Sequence, residues 1–342
     1  MALGMTVPAG RFPALVAAAP GVPARLVAIE ERELGEGDVT IAVRWSSLNY
    51  KDALALRAAA PVVRRFPMVC GIDLAGEVVS SDHEGIVPGD EVVVTGCGLG
   101  EEHPGGFAAY ARVPGQWCVP LPPGLDTRQA MALGTAGLTA MLAVLLLERN
   151  GSTPDALGGL PLLVTGAAGG VGSIAVALGA RLGYRVVAST GRPEEAPYLE
   201  WLGASEVLDR RELSEGTSRA LERVRFGAVI DVVGGATLAR ALAATRPFGT
   251  VAACGLAGGA ELSTTIHPFI LRGIVLAGVN SVHPASSDRA AAWHRLAATI
   301  PGELLQGITA SIGLDEASDL ASRLLDGRVR GRIVVAPRIS AR

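Results

Sequence analysis

Leu162–Arg192 reads LLVTGAAGGVGSIAVALGARLGYRVVASTGR. Leu162–Thr165 is a short apolar run of strand type, followed by glycines three apart at Gly166, Gly169 and Gly172. From Val171, apolar residues recur at helical spacing through Ile174, Ala175, Leu178 and Leu182, and the run stops at Gly183. Arg185–Ser189 is a second apolar strand. Strand, glycine turn, helix and strand within about 30 residues make a dinucleotide-binding unit.

The glycines let the backbone turn tightly and approach a pyrophosphate, whose charge sits on the free N–H groups at the helix start. That puts Gly169, Gly170, Val171 and Gly172 at the phosphates. A carboxylate at the end of the second strand would bond the adenosine ribose and favour NAD. The chain has Ser189-Thr190-Gly191-Arg192 there instead. Two hydroxyls, a glycine and a guanidinium suit a 2′-phosphate, because arginine pairs with phosphate through two parallel bonds. The expected cofactor is therefore NADPH, held by Thr190, Gly191 and Arg192. Arg210, at the end of the third strand, is a second candidate for the 2′-phosphate.

Alternation continues on both sides of this unit. Helical patterns at 197–202, 212–224 and 236–245 separate strand patterns at 206–208, 228–233 and 250–254, with a sixth strand at 274–279. This predicts a doubly wound parallel sheet with helices on both faces. Leu256 follows the fifth strand, where crevice residues meet a ligand. Before the unit, residues 1–125 read as short strands (25–29, 39–44, 77–81, 107–113, 117–120) separated by Gly and Pro, consistent with a small barrel-like domain. Gly96–Gly106 reads as a flexible loop near the end of that domain. Residues 129–148 read as a helix broken near Gly134 and Gly137, and 332–336 as a strand returning to the first domain.

A chain of 342 residues accommodates two domains with ordinary cores. Net charge is −3 without a long basic run, which argues against nucleic acid as a partner. No apolar segment is expected to reach the ~18–20 residues that span a bilayer. Pro13, Pro20, Pro23 and Arg11 interrupt the apolar N-terminus, so a cytoplasmic protein without a signal peptide is expected. Four scattered cysteines (Cys70, Cys97, Cys118, Cys254) form no C-x-x-C pair, and no metal site or disulfide framework is signalled. Lys51 is the only lysine among 30 basic residues.

Several stretches narrow the reading. They are Trp45-Ser-Ser-Leu-Asn-Tyr-Lys-Asp52, Phe66-Pro-Met68, Gly71-Ile-Asp73, Gly134-Thr-Ala-Gly137, Thr190-Gly-Arg192 and Cys254-Gly-Leu-Ala-Gly-Gly259. Together they resemble the acrylyl-CoA reductase family, zinc-free and quinone-oxidoreductase-like members of the medium-chain dehydrogenase/reductase superfamily. The resemblance implies an α/β protein with a GroES-like β-rich catalytic domain at 1–127, completed by about 302–342, and a Rossmann NADPH domain at 128–301. It implies NADPH-dependent reduction of acryloyl-CoA to propanoyl-CoA, with quinones or free α,β-unsaturated carbonyls as the rival substrates and an idle NADPH-binding protein as a further alternative. Zinc-dependent members carry Cys near Asn49 and Gly-His-Glu at 71–73, and both are replaced here.

By the same resemblance, Tyr50 and Asn49 line the site beside the nicotinamide, with Tyr50 a candidate hydrogen-bond or proton donor and Asn49 an uncharged amide donor. A purely packing role for Tyr50 is the alternative. Ile270 and Ser281 resemble family cofactor contacts, and Leu256 is expected on the nicotinamide ribose side. Asp52 and Asp73 are expected to bond structurally. Lys51 either reaches a phosphate or thioester oxygen or is solvated. The arginines of 327–332 (GRVRGR) either approach the phosphates or form a charged turn. Arg57, Arg64 and Arg65 are candidates for a CoA phosphate. The strand at 274–279, at the sheet edge, is expected to pair with its copy in a homodimer.

Overall fold

A computed structural model of the chain describes residues 10–216 and 219–337. Its strands run β1 (Phe12–Ala17), β2 (Arg25–Ile29), β3 (Val39–Ser47), β4 (Met68–Val69), β5 (Asp73–Ser81), β6 (Glu91–Thr95), β7 (Tyr110–Val113) and β8 (Val119–Pro120), then β9 (Leu162–Val164), β10 (Val186–Thr190), β11 (Ala204–Asp209), β12 (Ala228–Asp231), β13 (Thr250–Ala253) and β14 (Val275–Gly278), and last β15 (Thr309–Gly313) and β16 (Arg332–Ala336). The chain divides into two compact units, Met1–Thr135 with Pro301–Arg342, and Ala136–Ile300.

The first unit holds a three-stranded sheet, β2-β1-β4, and a larger one ordered β15-β16-β3-β5-β6-β8, with β7 also on β3. The last strand does return: β16 pairs antiparallel with β3, Val334 opposite Ser47. Residues two apart on β3 (Val39, Ile41, Val43) join Leu74, Val78, Val92 and Val94 in one apolar core, as the period of a strand requires. The short helix α1 (Tyr50–Leu56) buries Ala53, Ala55 and Leu56 in a second core.

In the second unit six parallel strands lie in the order β11-β10-β9-β12-β13-β14. β10 is buried along its whole length, the pattern of a parallel strand covered on both faces. Crossover helices such as α3 (Gly170–Arg181) connect the strands. With β9 in the interior, the glycine turn that follows it lies at the carboxyl end of the sheet, the crevice position of doubly wound folds.

Four expectations are corrected. Residues 12–17 form a strand paired with 25–29, where the sequence reading began its strands only at 25. The helix expected at 212–224 is only Arg211–Ser214, with Gly216 in the left-handed region. Residues 217–218 lie outside the described residues, and beyond them the main chain serves another purpose. Glu222 and Arg225 donate to Ala243 and Ala244, covering carbonyls near the end of the helix at 235–244. The segment at 96–106 is packed rather than loose, because the Gly105 and Gly106 N–H groups donate to Val69 and Gly71 and Leu99 is fully buried. The helix α2 (Thr127–Arg149), 23 residues with an 18-residue stretch of mean hydropathy 2.1, is long and apolar enough to cross a membrane, but that stretch is largely buried within the protein. It is a core helix.

α2 is broken at Gly134 alone (φ 51°, ψ −155°), not also at Gly137. The break explains why the first unit ends at Thr135 rather than near 127: Thr135 is tied by hydrogen bonds to Asp73 of that unit. A Cβ at Gly134 would stand 2.6 Å from Asp73 Oδ2, 2.8 Å from Ser47 Oγ and 2.9 Å from Arg332 Nη2. Gly134→Ala is therefore expected to lower the unfolding free energy by about 3 kcal/mol in urea titrations, through left-handed strain and the clash together. A change below about 0.5 kcal/mol would show that the break tolerates a side chain.

Candidate active site

On the second unit, Gly166 turns the chain in the left-handed region (φ 59°) and Gly169 caps α3 with no side-chain bond. A Cβ on Gly172 would lie 2.3 Å from the Gly166 carbonyl oxygen, so only glycine lets the turn close on the helix. The N–H groups of Gly170, Val171 and Gly172 open α3 and have no acceptor within it. No acidic side chain stands in that first turn. The positive end of the helix thus faces the turn without a built-in counter-charge.

Thr190, Gly191, Arg192 and Arg210 converge at the carboxyl ends of β10 and β11. The Arg210 N–H donates to the Thr190 carbonyl (2.8 Å) and the Arg192 N–H to Thr190 Oγ1 (3.1 Å). A Cβ on Gly191 would meet Arg210 Nε at 2.5 Å, so glycine makes room for that guanidinium. Arg192 reaches the Ala168 carbonyl of the glycine turn (3.3 Å) and pairs with Glu195 (3.6 Å). Leu256 stands exposed just after β13, and Ser281, after β14, accepts a bond from Thr139 Oγ1 (2.8 Å). Ile270 is exposed on the helix His267–Arg272 of the β13–β14 crossover.

On the first unit, Tyr50 opens α1 and is 43% exposed, while Asn49 before it is buried. Asn49 is fully engaged: its amide NH2 donates to Asp52 Oδ2 (3.0 Å) and Asp73 Oδ2 (2.9 Å), and its carbonyl accepts from Arg332 Nη1 (3.2 Å). The structure thus gives its amide internal partners where the sequence reading foresaw a donor facing substrate. Asp73 also accepts from Ser47 Oγ (2.5 Å), the Thr135 N–H (2.9 Å) and Thr135 Oγ1 (2.5 Å). Arg332 is buried, donating to the Ala132 carbonyl (2.8 Å) and Ser47 Oγ (3.0 Å). It is a member of this cluster rather than an arm toward the phosphates. Arg332, Ser47 and Thr135 are the members whose shared role sequence reasoning missed, although Ser47 and Thr135 lie in the stretches 45–52 and 134–137 and Arg332 ends the arginine-rich 327–332. Lys51 pairs with Glu101 (2.8 Å), and Arg64 with Glu102 (3.0 Å).

This cluster does not suit a metal ion. The Asp73 carboxylate already accepts four donated bonds, and a guanidinium fills the adjoining space. No group of three or more His, Cys, Asp or Glu side chains able to hold a metal occurs among the described residues.

A phosphate-ready glycine turn with paired arginines beside it, on a Rossmann unit joined to a β-rich unit, defines a medium-chain dehydrogenase/reductase. Residues 35–123 match the alcohol dehydrogenase GroES-like domain family and residues 170–298 the zinc-binding dehydrogenase family. The chain is 50% identical to the acrylyl-CoA reductase AcuI of Ruegeria pomeroyi over 89% of its own length and 91% of that protein. The crystal structure of Escherichia coli K-12 YhdH with bound NADPH superposes with a TM-score of 0.91, at 47% identity over 95% of this chain and 100% of that one. Bacillus subtilis YhfP, solved with NAD bound, gives a TM-score of 0.90 at 42% identity, over 95% and 99% of the two chains. The chain belongs to the acrylyl-CoA reductase family.

Two carboxylates share the buried cluster with one guanidinium. Desolvation, followed by the charge of Asp73, pushes Asp52 up from 3.8 to about 7, against the bonds it accepts from Asn49 and Ile72. Burial pulls Arg332 down, while Asp73 and Asp52 oppose that shift. With the folded pKa raised, the unfolded chain releases the Asp52 proton first as pH rises, so this contribution to stability is present below about pH 4 and lost through pH 7. Wild-type stability in urea is expected to fall relative to Asp52→Asn across that window, by up to ~4 kcal/mol. Parallel pH profiles for the two proteins would show that Asp52 ionises in its ordinary range.

Proposed function

We propose that the protein reduces the 2,3-double bond of acryloyl-CoA to propanoyl-CoA with NADPH. The observation that carries this reading is half-identity to an acrylyl-CoA reductase over nine-tenths of both chains. The convergence of Arg192 and Arg210 on Gly191 supports the choice of NADPH over NADH.

When bound, NADPH supplies the hydride for the β-carbon. The α-carbon takes the balancing proton, and the chain's part is to bind and orient the reactants. The α3 N–H groups of Gly170, Val171 and Gly172 hold the pyrophosphate, and Thr190, Gly191, Arg192 and Arg210 hold the 2′-phosphate. Leu256 packs on the nicotinamide ribose side, and Ile270 and Ser281 are further cofactor contacts. We assign the first unit to catalysis and the second to the cofactor. Tyr50, exposed at the start of α1, donates to the thioester oxygen as enolate charge develops, a role worth ~3–4 kcal/mol for a well-placed donor. Asn49 supports it by fixing the start of α1 through Asp52 and Asp73.

We further propose a cytoplasmic homodimer. Four free cysteines suit a reducing compartment. β14 is an edge strand with Val275 exposed, and Phe248, Ile266 and Leu271 are also exposed apolar residues of the same unit. A second copy would cover such a surface. Light scattering at micromolar concentration is expected to give twice the chain mass of 35.0 kDa, and a monomer mass would reject the dimer.

Loss of NADPH absorbance is expected to be fastest with acryloyl-CoA when run beside crotonyl-CoA, free acrylate and a quinone, and slower with NADH. Tyr50→Phe is expected to lower kcat about 100-fold. A preference for the quinone or free enone would overturn the thioester reading, and unchanged kcat and KM for the variant would remove Tyr50 from the site.

A further inference from the structure

The glycine turn that opens the cofactor site is held from two sides. Toward β10, the Ala167 N–H donates to the Ser189 carbonyl (3.0 Å) and Arg192 Nη2 to the Ala168 carbonyl (3.3 Å). Toward β12, the Thr165 N–H donates to the Ile230 carbonyl (3.1 Å), and a buried side-chain relay adds to that main-chain bond. Thr165 Oγ1 donates to Asp231 Oδ1 (2.7 Å) and accepts the Val232 N–H (2.9 Å). Asp231 Oδ2 accepts the Gly234 N–H (2.8 Å), and the Asp231 carbonyl accepts the Cys254 N–H (2.8 Å).

Thr165 and Asp231 are both fully buried. The two residues therefore join three segments at the carboxyl ends of neighbouring parallel strands. These are the turn beginning at Thr165-Gly166, the loop 232–234, and the segment 254–256 that carries Leu256. Beside the relay, the Val233 side chain lies 3.3 Å from where a Cβ on Gly166 would stand, and Gly166 has a positive φ. The turn thus has a wall on that side as well as an anchor. Burial raises the Asp231 pKa, opposed by bonds from Thr165, Gly234 and Val233, and no cation is among the groups acting on it. The neighbouring Cys254 thiol is pushed up to about 12 and is neutral. Among the described residues Thr165 is the side-chain donor to the Asp231 carboxylate, while the Cys254 thiol donates to the Asp231 carbonyl (3.3 Å).

We propose that Thr165 and Asp231 are positioning residues for NADPH: their hydrogen bond fixes the glycine turn on its β12 side and so aims the N–H groups that receive the pyrophosphate. Neither side chain is placed against the cofactor. They act through the main chain of Gly166–Gly169, which must keep its geometry within a fraction of an ångström for several N–H groups to meet one anion together. The inference rests on the assignment of this turn to NADPH.

The test compares Thr165→Val, Thr165→Ser and Asp231→Asn with wild type. NADPH affinity is read by fluorescence titration without substrate, and KM for NADPH and for the enoyl substrate is read separately. Valine keeps the volume of threonine and removes the hydroxyl, whereas serine keeps the hydroxyl. Thr165→Val is expected to weaken NADPH about tenfold and to raise KM for NADPH, with KM for the enoyl substrate within about twofold. Thr165→Ser is expected to stay within about threefold of wild type, and Asp231→Asn to fall between the two. Circular dichroism and the melting temperature of the cofactor-free proteins identify variants that fail to fold. If valine does so, equal affinities for Asp231→Asn and wild type overturn the proposal. Equal NADPH affinity for folded valine, serine and wild-type proteins also overturns it, as does an equal rise in both KM values. Failure of the wild type itself to bind NADPH would instead overturn the cofactor assignment, a distinguishable result.

Discussion

A carboxylate taken out of water needs hydrogen-bond donors, and that requirement draws several segments of the first unit to Asp73. Ser47 reaches it from β3, Asn49 from the start of α1, and Thr135 from the break in α2. Arg332, opening β16, joins the same group through Ser47 and Asn49. Segments nearly 290 residues apart in sequence (283 between Asn49 and Arg332) thus meet at one buried polar centre. The chain's return to its first unit is fixed there as well as by the β16–β3 pairing.

The same centre dictates local backbone. Thr135 can donate both its N–H and its hydroxyl to one carboxylate because α2 is interrupted at Gly134, and a residue with a Cβ would fill the space that Asp73, Ser47 and Arg332 occupy. Asn49 and Asp52 fix the first turn of α1, which leaves Tyr50 exposed at its start while Asn49 turns inward. Two neighbouring residues with similar sequence-level promise therefore differ in what their side chains can do. The internal cation also bears on the metal question: four donated bonds on Asp73 and an adjoining guanidinium do not suit a metal ion.

In the second unit the constraint is steric. Gly172 must lack a Cβ for α3 to approach Gly166, and Gly191 must lack one for Arg210 to lie across it. Those glycines form part of a local pattern, and for that reason the cofactor turn and its specificity loop could be read directly from adjacent residues. Leu256 and Ser281 also fall at strand ends, where the alternation of strands and helices had put them. The relay from Thr165 to Asp231 spans 66 positions. Nothing local marks a threonine and an aspartate so far apart as partners, and only the pairing of β9 with β12 brings them together.

Where expectation failed, distant partners had overridden a local pattern. The apolar periodicity at 212–224 suggested a helix, yet its backbone donors cover carbonyls of a neighbouring helix instead. Gly96–Gly106 has the composition of a mobile loop, yet close packing against Gly71 and Asp73 uses the very absence of side chains that suggested mobility. The sequence by itself determined the α/β class, the glycine turn after β9 and the place of Arg192 just after β10, because each is written in residues close together, where spacing reports geometry. Tertiary structure alone decided that Asn49 is bonded internally, that Arg332 is buried in the Asp73 centre and that Thr165 rests on Asp231. Those are contacts between segments far apart in the chain, and burial makes them obligatory only once the sheets have brought the segments together.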